Sequence, residues 1–410
     1  MLNQSFDEKT LLKLTTKKEI INYKLGRETA EYTSSLSAIA NNIKNKSFNF
    51  HTLNTFTYNN RIVYRVNSPE EYYALRKISD NLKRLYRIKY SHKDDIISQV
   101  ANIICDTSSY NLIRLDVKDF FETIDFEFLL DKISRDNILS HLSLKILEKL
   151  KDNISSLTKG LPRGLSISSV LAEIYMEDID EYIRSLSGVY FYARYVDDII
   201  IVCHDGKIDI DFLKKIFARR NLILNHKSNV YEVSSTNGID KILKFNFLGY
   251  DYFIHHIKNV NNYRKITVDM SENKIKKIKT RIIQSILAHY KDRNGILLHN
   301  RIKFLTGNYT VKIDNYYKKE YSEEDSQALK GGIYYNNKFI NTHDNLSILN
   351  EYLRKLLFCK KNNSIGKAVQ AIPISARRNL LLHCFIKGHS QAIFHKFTQT
   401  DIQEIKKCWS

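Results

Sequence analysis

The chain sets two adjacent carboxylates, Asp197 and Asp198, within Tyr195-Val196-Asp197-Asp198, between the apolar stretches Val189 to Ala193 and Ile199 to Val202. A turn joining two apolar strands would bring these like charges together at a hairpin tip, where they repel unless a cation compensates. A divalent metal ion suits such hard oxygen donors. Read alone, an Asp-Asp pair is a hydrophilic turn. A second acidic strand end changes the weighing: Leu112-Ile113-Arg114-Leu115-Asp116-Val117 is an apolar strand closed by a carboxylate, 81 residues before Asp197. Asp116, Asp197 and Asp198 can then converge on one metal-dependent site.

The elements that must position them follow from hydrophobic period and turn residues. From Tyr110 to Tyr250 the order reads strand, helix, turn, helix, paired strands, helix, strand, an α+β arrangement. After Gly160 and Gly164, the apolar positions Ile167, Val170, Leu171, Ile174 and Ile179 predict a buried helix, with Ser166 or Ser168 as its cap. Residues 1 to 55 read as a helical, polar lead-in without visible chemistry. Phe56 to Arg65 alternates around Asn59-Asn60 as a hairpin, and Glu70 to Tyr90 reads as a basic helix. Beyond Asn262 the chain turns Lys- and Ile-rich and helical, as in Asn273 to His289. The polar stretch Tyr317 to Gly332, with Glu323, Glu324, Asp325, Gly331 and Gly332, predicts an exposed break. Arg301 to Tyr309 and Arg377 to His395 mix cations with rings, as a nucleic-acid groove would, or as amphipathic helices with solvated lysines would.

At 410 residues with 43% hydrophobic side chains, the chain is long enough for two or three domains with real cores. Sixty-four Lys and Arg against 45 Asp and Glu leave a formal charge of +19, which favours a polyanionic partner. No apolar run is long enough to span a bilayer, and the N-terminus lacks the apolar core of a secretory signal, so a soluble protein is expected. Five dispersed cysteines show no C-x-x-C pair and no zinc spacing, and read as reduced thiols. His255-His256 and the scattered C-terminal histidines show no partner pattern and read as surface or structural groups.

Four segments in one order carry a family resemblance: Asp116-Val117-Lys118-Asp119-Phe120-Phe121, the Gly160-Leu161-Pro162-Arg163-Gly164 turn with Ser168 beyond it, Tyr195-Val196-Asp197-Asp198, and Phe247-Leu248-Gly249-Tyr250. They resemble the palm motifs A, B, C and E of reverse transcriptases, over residues 55 to 255 or so. The wording Gly-Leu-Pro-Arg-Gly-Leu-Ser-Ile-Ser-Ser-Val-Leu-Ala-Glu-Ile-Tyr is most similar to bacterial abortive-infection and other phage-defence-associated reverse transcriptases.

The resemblance implies a right-hand polymerase of α+β class: a helical lead-in at 1–55, fingers at 56–109, a palm at 110–255, a helical thumb at 256–316 and a C-terminal helical extension at 333–410. It implies nucleotidyl transfer with two Mg²⁺ ions, for which Mn²⁺ can substitute. Asp116 and Asp197 would hold both ions, Asp198 would support the one nearest the primer, and the Val117 carbonyl would complete a shell. Asp119 and Asp125 would cap or orient the next helix. Phe121 stands where the family places the ring that stacks under the sugar and rejects a 2′-hydroxyl, with Phe120 the next candidate. Arg76 and Lys83 are similar to the fingers signature whose basic residue meets the triphosphate, although its Gly-Gly tip and Pro are missing. Gly164 would lie beside the nucleotide, Lys227 resembles the motif D lysine, and Phe247, Leu248, Gly249 and Tyr250 would form a primer grip.

Motif B departs from the family pattern: Arg163 stands in place of Gln and Ser169 in place of Pro. Arg163 could hold template phosphate, contact a base edge, replace a templating group, or serve as a salt-bridged structural residue. The function implied is an RNA-directed DNA polymerase in antiphage defence, in the bacterial cytoplasm. Its partners would be an RNA template or noncoding RNA, the DNA product, dNTPs, and a second protein subunit or second copy of the chain, with no membrane. Untemplated or protein-primed synthesis is the alternative enzyme, motivated by Arg163, the altered fingers and 26 tyrosines. A silent RNA-binding pseudo-polymerase is the non-enzymatic alternative. Against it stands the intact set of three carboxylates, which binding to a polyanion alone does not require.

Overall fold

A computed structural model describes residues 2–58, 60–204, 208–235, 242–311 and 329–409. The chain divides into two compact units, the first formed by Met1–Ile96 and Ser109–Val233, the second by Ile97–Ser108 and Ser234–Ser410. This division falls inside the 110–255 span expected as one palm.

The first unit opens on helices Glu8–Leu12, Lys17–Asn22 and Thr29–Lys44 and the hairpin β1 (Asn54–Tyr58) and β2 (Arg61–Arg65). Asn59, one of the two residues read as the hairpin tip, lies outside the described residues. Helix Pro69–Leu85 starts where it does because Ser68 and Glu71 form a reciprocal capping box and Pro69 takes a first-turn position that needs no N–H donor. β3 (Tyr110–Asp116), β4 (Val189–Tyr195), β5 (Asp198–Cys203) and β6 (Asn229–Val233) form an antiparallel sheet in the order β4-β5-β3-β6. β3 and β5 are central, and their apolar side chains are buried, including Leu112, Ile113, Ile200 and Ile201.

Helix Ser166–Ser185 carries the apolar stripe expected of it, with Ile167, Val170, Leu171, Ile174 and Ile179 all buried. Its cap differs from expectation. Leu165 is the N-cap, and neither serine bonds the first turn; Ser168 instead donates to the Pro162 carbonyl at 2.6 Å and ties the helix to the preceding turn. Asp125 does cap its helix, accepting from the Phe128 N–H at 3.0 Å, whereas Asp119 sits left-handed at φ 45° with no side-chain cap bond.

In the second unit β7 (Leu243–Phe247), β8 (Tyr250–Lys258) and β9 (Arg264–Met270) form an antiparallel sheet. The helical stretch expected from 256 onward therefore begins in strands. The reason is the β-branched run Ile266-Thr267-Val268 and burial of the same sheet by Tyr252 and Ile254. Arg264 is fully buried and donates to the Asp106 and Ser108 carbonyls at 2.8 and 2.9 Å, which clamps residues 97–108 into this unit. Helices Glu272–Asp292 and Gly295–Thr306 follow. Gly331 and Gly332, read as part of an exposed break, lie in β11 (Leu329–Gly332), which pairs with β10 (Asn308–Val311). β12 (Phe394–His395) joins β10 on its other side, so the C-terminal region, otherwise helical, also closes a small sheet. Glu323, Glu324 and Asp325 lie outside the described residues. Among the described residues no helix is long and apolar enough to cross a membrane.

The histidines without a sequence pattern meet here. His383 and His299 place their Nε2 atoms 3.2 Å apart, and the His395 ring stands 6.1 Å from that of His383. Burial, then the neighbouring His299 and His395, lower the His383 pKa from 6.5 to about 4. The unfolded chain takes up this proton near 6.5, and the folded chain resists it until about 4, so stability falls as pH drops through that window. Denaturant unfolding at pH 7 and pH 4.5 should show a smaller loss on acidification for His383→Gln than for the unsubstituted chain; equal losses would show that His383 does not contribute.

Candidate active site

The register of β3 on β5 puts Asp116 directly opposite Asp198, and opposed residues share a face. On the other edge of β5, Tyr195 pairs with Asp198 and closes the β4–β5 hairpin through Val196 and Asp197. Val196 has φ 61°. A left-handed first central residue with an ordinary second one is the type II′ pattern, a place where glycine normally sits, so a β-branched residue there is strained. Two bonds hold it: the Val117 N–H donates to the Asp197 carbonyl at 3.2 Å, and Arg194 Nη1 donates to the Val196 carbonyl at 3.3 Å.

Arg194 is the post of the hairpin. Its side chain is 6% exposed. It reaches Asp180 through Nε and Nη2 at 3.0 and 2.8 Å, and Glu173 through Nη1 and Nη2 at 3.0 and 2.6 Å. Burial alone would lower its pKa, but the two carboxylates raise it. Removing one partner from such a buried set typically costs about 3–5 kcal/mol. Tyr192 adds a 2.6 Å bond to Asp180.

The three carboxylates are short of cations. Burial first, then Asp116, raises the Asp197 pKa. Burial, then Asp197 and Asp116, raises that of Asp198, opposed by Arg114, whose Nη2 lies 3.5 Å from Asp198 Oδ1. Among the described residues, no group of three or more His, Cys, Asp or Glu side chains is placed so that it could hold a metal ion as it stands. The donor set nevertheless fits divalent cations, because these are hard oxygens whose mutual repulsion a bound cation would relieve.

Motif A and motif B brace each other. Leu161 N–H donates to the Phe121 carbonyl at 2.7 Å. A Cβ on Gly160 would fall 2.4 Å from that carbonyl, and one on Gly164, at φ 96°, 2.5 Å from Val63 Cγ1. Arg163 is salt-bridged: Nε and Nη2 donate to the two Glu122 oxygens at 2.5 and 2.9 Å, and the guanidinium lies 5.1 Å from the Phe121 ring centre. Burial works to raise the Glu122 pKa, and these bonds override it and lower it. Phe120 is 1% exposed and belongs to the core, whereas Phe121 is only partly buried.

The remaining sequence candidates have the following local settings. Arg76 Nη1 donates to the Tyr72 hydroxyl at 2.5 Å and stands 3.8 Å from Glu19, and Lys83 lies over the Tyr90 ring at 5.2 Å. Lys227 is exposed beyond Asn225, whose N–H donates to the Asp116 carbonyl at 2.7 Å. In the second unit Phe247, Leu248, Gly249 and Tyr250 form the tight β7–β8 turn, with φ 46° at Leu248 and 81° at Gly249, a type I′ pattern. Lys274 stands 4.1 Å over the Tyr250 ring.

Sequence reasoning missed Arg61, Arg114, Glu122 and Arg194. Arg61 acts on both Asp197 and Glu122 from the β1–β2 hairpin. Arg194 had a sequence signal: Asp180 shares a helix face with buried Met176 and Ile183, and a buried acid requires a cation.

Comparison with protein families matches residues 25–252 to the family described as reverse transcriptase (RNA-dependent DNA polymerase). The chain belongs to that family. Among solved structures, it is similar to apo telomerase from Candida tropicalis truncated from the C-terminal domain, at 14% identity and a TM-score of 0.32, over 48% of this chain and 44% of that one. The chain thus spans less than half the length of that telomerase chain. Comparison with curated proteins gives no match.

Asp197→Asn removes one of the crowded charges. Without metal, its thermal midpoint should equal or exceed that of the unsubstituted protein, and the upward shift given by millimolar Mg²⁺ or Mn²⁺ should shrink. A lowered midpoint with an undiminished metal shift would place the cation elsewhere.

Proposed function

We propose that this chain is an RNA-directed DNA polymerase that builds DNA from dNTPs at Asp116, Asp197 and Asp198. One observation carries the reading: the β3–β5 register sets Asp116 against Asp198, with Asp197 at the adjoining turn, inside the segment that matches the family. Asp116 and Asp197 would hold two Mg²⁺ ions, Asp198 would support the ion nearest the primer, and the Val117 carbonyl would add a donor. Bound there, the ions would lower the pKa of the primer 3′-hydroxyl and neutralise charge on the pyrophosphate.

The chain's own residues then orient the reactants. Arg61, exposed beside the β1–β2 turn, is the cation we assign to the triphosphate. Phe121 lies under the sugar and selects deoxynucleotides, with Arg163 holding the ring from its other face. Gly164, packed against Val63 of the hairpin, lies beside the nucleotide, Lys227 donates a proton to the leaving group, and Phe247 to Tyr250 grip the primer. Arg76 and Lys83 support the fingers at 56–109; the palm spans 110–255, the thumb 256–316 and the extension 333–410, in a right-hand arrangement. The setting we infer is the bacterial cytoplasm and defence against phage, with a noncoding RNA or a partner protein. That setting rests on the resemblance of the motif B wording.

A second reading, untemplated or protein-primed synthesis, is favoured by Arg163. Glu122 occupies its side-on fork, and the end-on pair of N–H groups has no protein partner among the described residues. A fixed guanidinium can read a base edge with that pair.

Two measurements separate these readings. The double substitution Asp197→Ala, Asp198→Ala should cut dNTP incorporation by at least about 10³-fold with folding retained; undiminished incorporation would remove the site assignment. In Arg163→Gln, products sequenced with and without added RNA should keep the template's sequence if synthesis is templated. If Arg163 chooses the nucleotide, product composition should change instead, by the about 1–3 kcal/mol of discrimination a lost base contact costs.

A further inference from the structure

Arg114 reaches the carboxylates from inside the sheet. It stands two residues before Asp116 on β3, so the two side chains leave the strand on one face. The register flanks it with fully buried Ile200 on β5 and with Asn229 on β6, and sets Asp198 diagonal to it. Its stem can therefore pack along an apolar wall while its head is delivered to the acids. The side chain is 14% exposed.

Charge holds this guanidinium, more than a fitted set of bonds. Among the described residues its one ion pair is Nη2 with Asp198 Oδ1, at 3.5 Å, the outer limit of a hydrogen bond, and its buried Nε has no partner. Arg194, on β4 of the same sheet, shows the contrasting arrangement, with both Glu173 and Asp180 bonded at 2.6–3.0 Å. A buried cation bonded as sparsely as Arg114 is tolerated because the neighbouring carboxylates attract it. In return it cancels one of their three charges. A divalent ion at the same acids meets a competitor, since Asp198 Oδ1 facing both would press two cations together.

We propose that Arg114 is the resident counter-cation of the metal site, occupying Asp198 while the site is empty and giving it up when a divalent ion binds, so that it sets how much metal the site requires. The inference rests on the polymerase reading for a metal at Asp116, Asp197 and Asp198. Arg114 is a positioning residue, because it acts through Asp198 and touches no reacting atom. It relieves the repulsion that strand register imposes on the empty site, and it keeps the bound ion in exchange with solution.

The test uses the full chain without nucleotide or nucleic acid. Mn²⁺ binding is measured by equilibrium dialysis, and Mg²⁺ binding by the rise of the thermal midpoint with concentration. Arg114→Gln keeps a polar side chain and removes the charge. Its midpoint without metal should fall, and its half-saturating Mn²⁺ and Mg²⁺ concentrations should fall about tenfold, the effect of one unit charge on a nearby divalent ion at the dielectric of water. Arg114→Lys, which keeps the charge, should stay within about threefold of the unsubstituted chain. An arginine with a structural role only would lower the midpoint without lowering the half-saturating concentrations, and that result overturns the proposal, as does a tenfold fall in Arg114→Lys. Should Arg114→Gln not fold, the substitution is made in Asp198→Asn, where cation and paired acid are lost together and no new unpaired charge is buried. The double variant should then bind Mn²⁺ about tenfold more tightly than Asp198→Asn alone; equal binding overturns the proposal. Asp197→Asn is measured in parallel. If it leaves metal binding undiminished, the metal site and this inference fall together. If it weakens metal binding while loss of Arg114 does not strengthen it, this inference alone falls.

Discussion

Like charge held together by strand register is the constraint on which the candidate site depends. Asp116 and Asp198 are cross-strand partners at the end of the central β3–β5 pair, and Asp197 adjoins them. Two unit charges about 5 Å apart repel by roughly 3 kcal/mol at the effective dielectric of a protein surface. A one-residue slip would relieve this by turning one acid to the other face, but it would also force Ile199, Ile200, Ile201 and Val202, close-packed on both faces of β5, to repack. Burial of the strands therefore fixes the register, and the register enforces the repulsion. What results is a concentrated negative site that a polyvalent cation stabilises.

The surroundings are arranged to keep that site from relaxing. Arg194, with its two carboxylate partners, holds the carbonyl of left-handed Val196, and the Val117 N–H holds that of Asp197. These contacts bind backbone rather than the acids themselves, so the hairpin tip is fixed while the carboxylates keep their charge deficit. Among the described residues, Arg114 is the one cation paired with an acid of the cluster, at 3.5 Å from Asp198. Close backbone approaches at Gly160 and Gly164 set a second rigid layer against motif A and the hairpin. Arg163 is then tied to Glu122 within it.

This arrangement also explains why the basic side chains divide into two kinds. Arg194 and Arg264 are buried and saturated by acids or carbonyls, and serve architecture. Arg61 and Arg65 are exposed on one hairpin face, where a polyanion can displace water from them. The net charge of +19 does not distinguish these roles. Position on the sheet does.

The sequence by itself determined the family, the central strands, the hairpin that carries Asp197 and Asp198, and the apolar stripe of the helix after the motif B turn. Each is written in local periodicity and in short contiguous motifs. Tertiary structure alone decided what joins residues distant in the chain: the Glu122–Arg163 pair, the Arg194 network with Glu173 and Asp180, and the meeting of His299, His383 and His395. It also decided that Arg76 braces the N-terminal segment and that Gly331-Gly332 lies in a strand. The physical reason is one of range. Period and turn chemistry act over a few residues, whereas the partner of a buried charge is chosen by which elements pack together, and no local pattern encodes that choice.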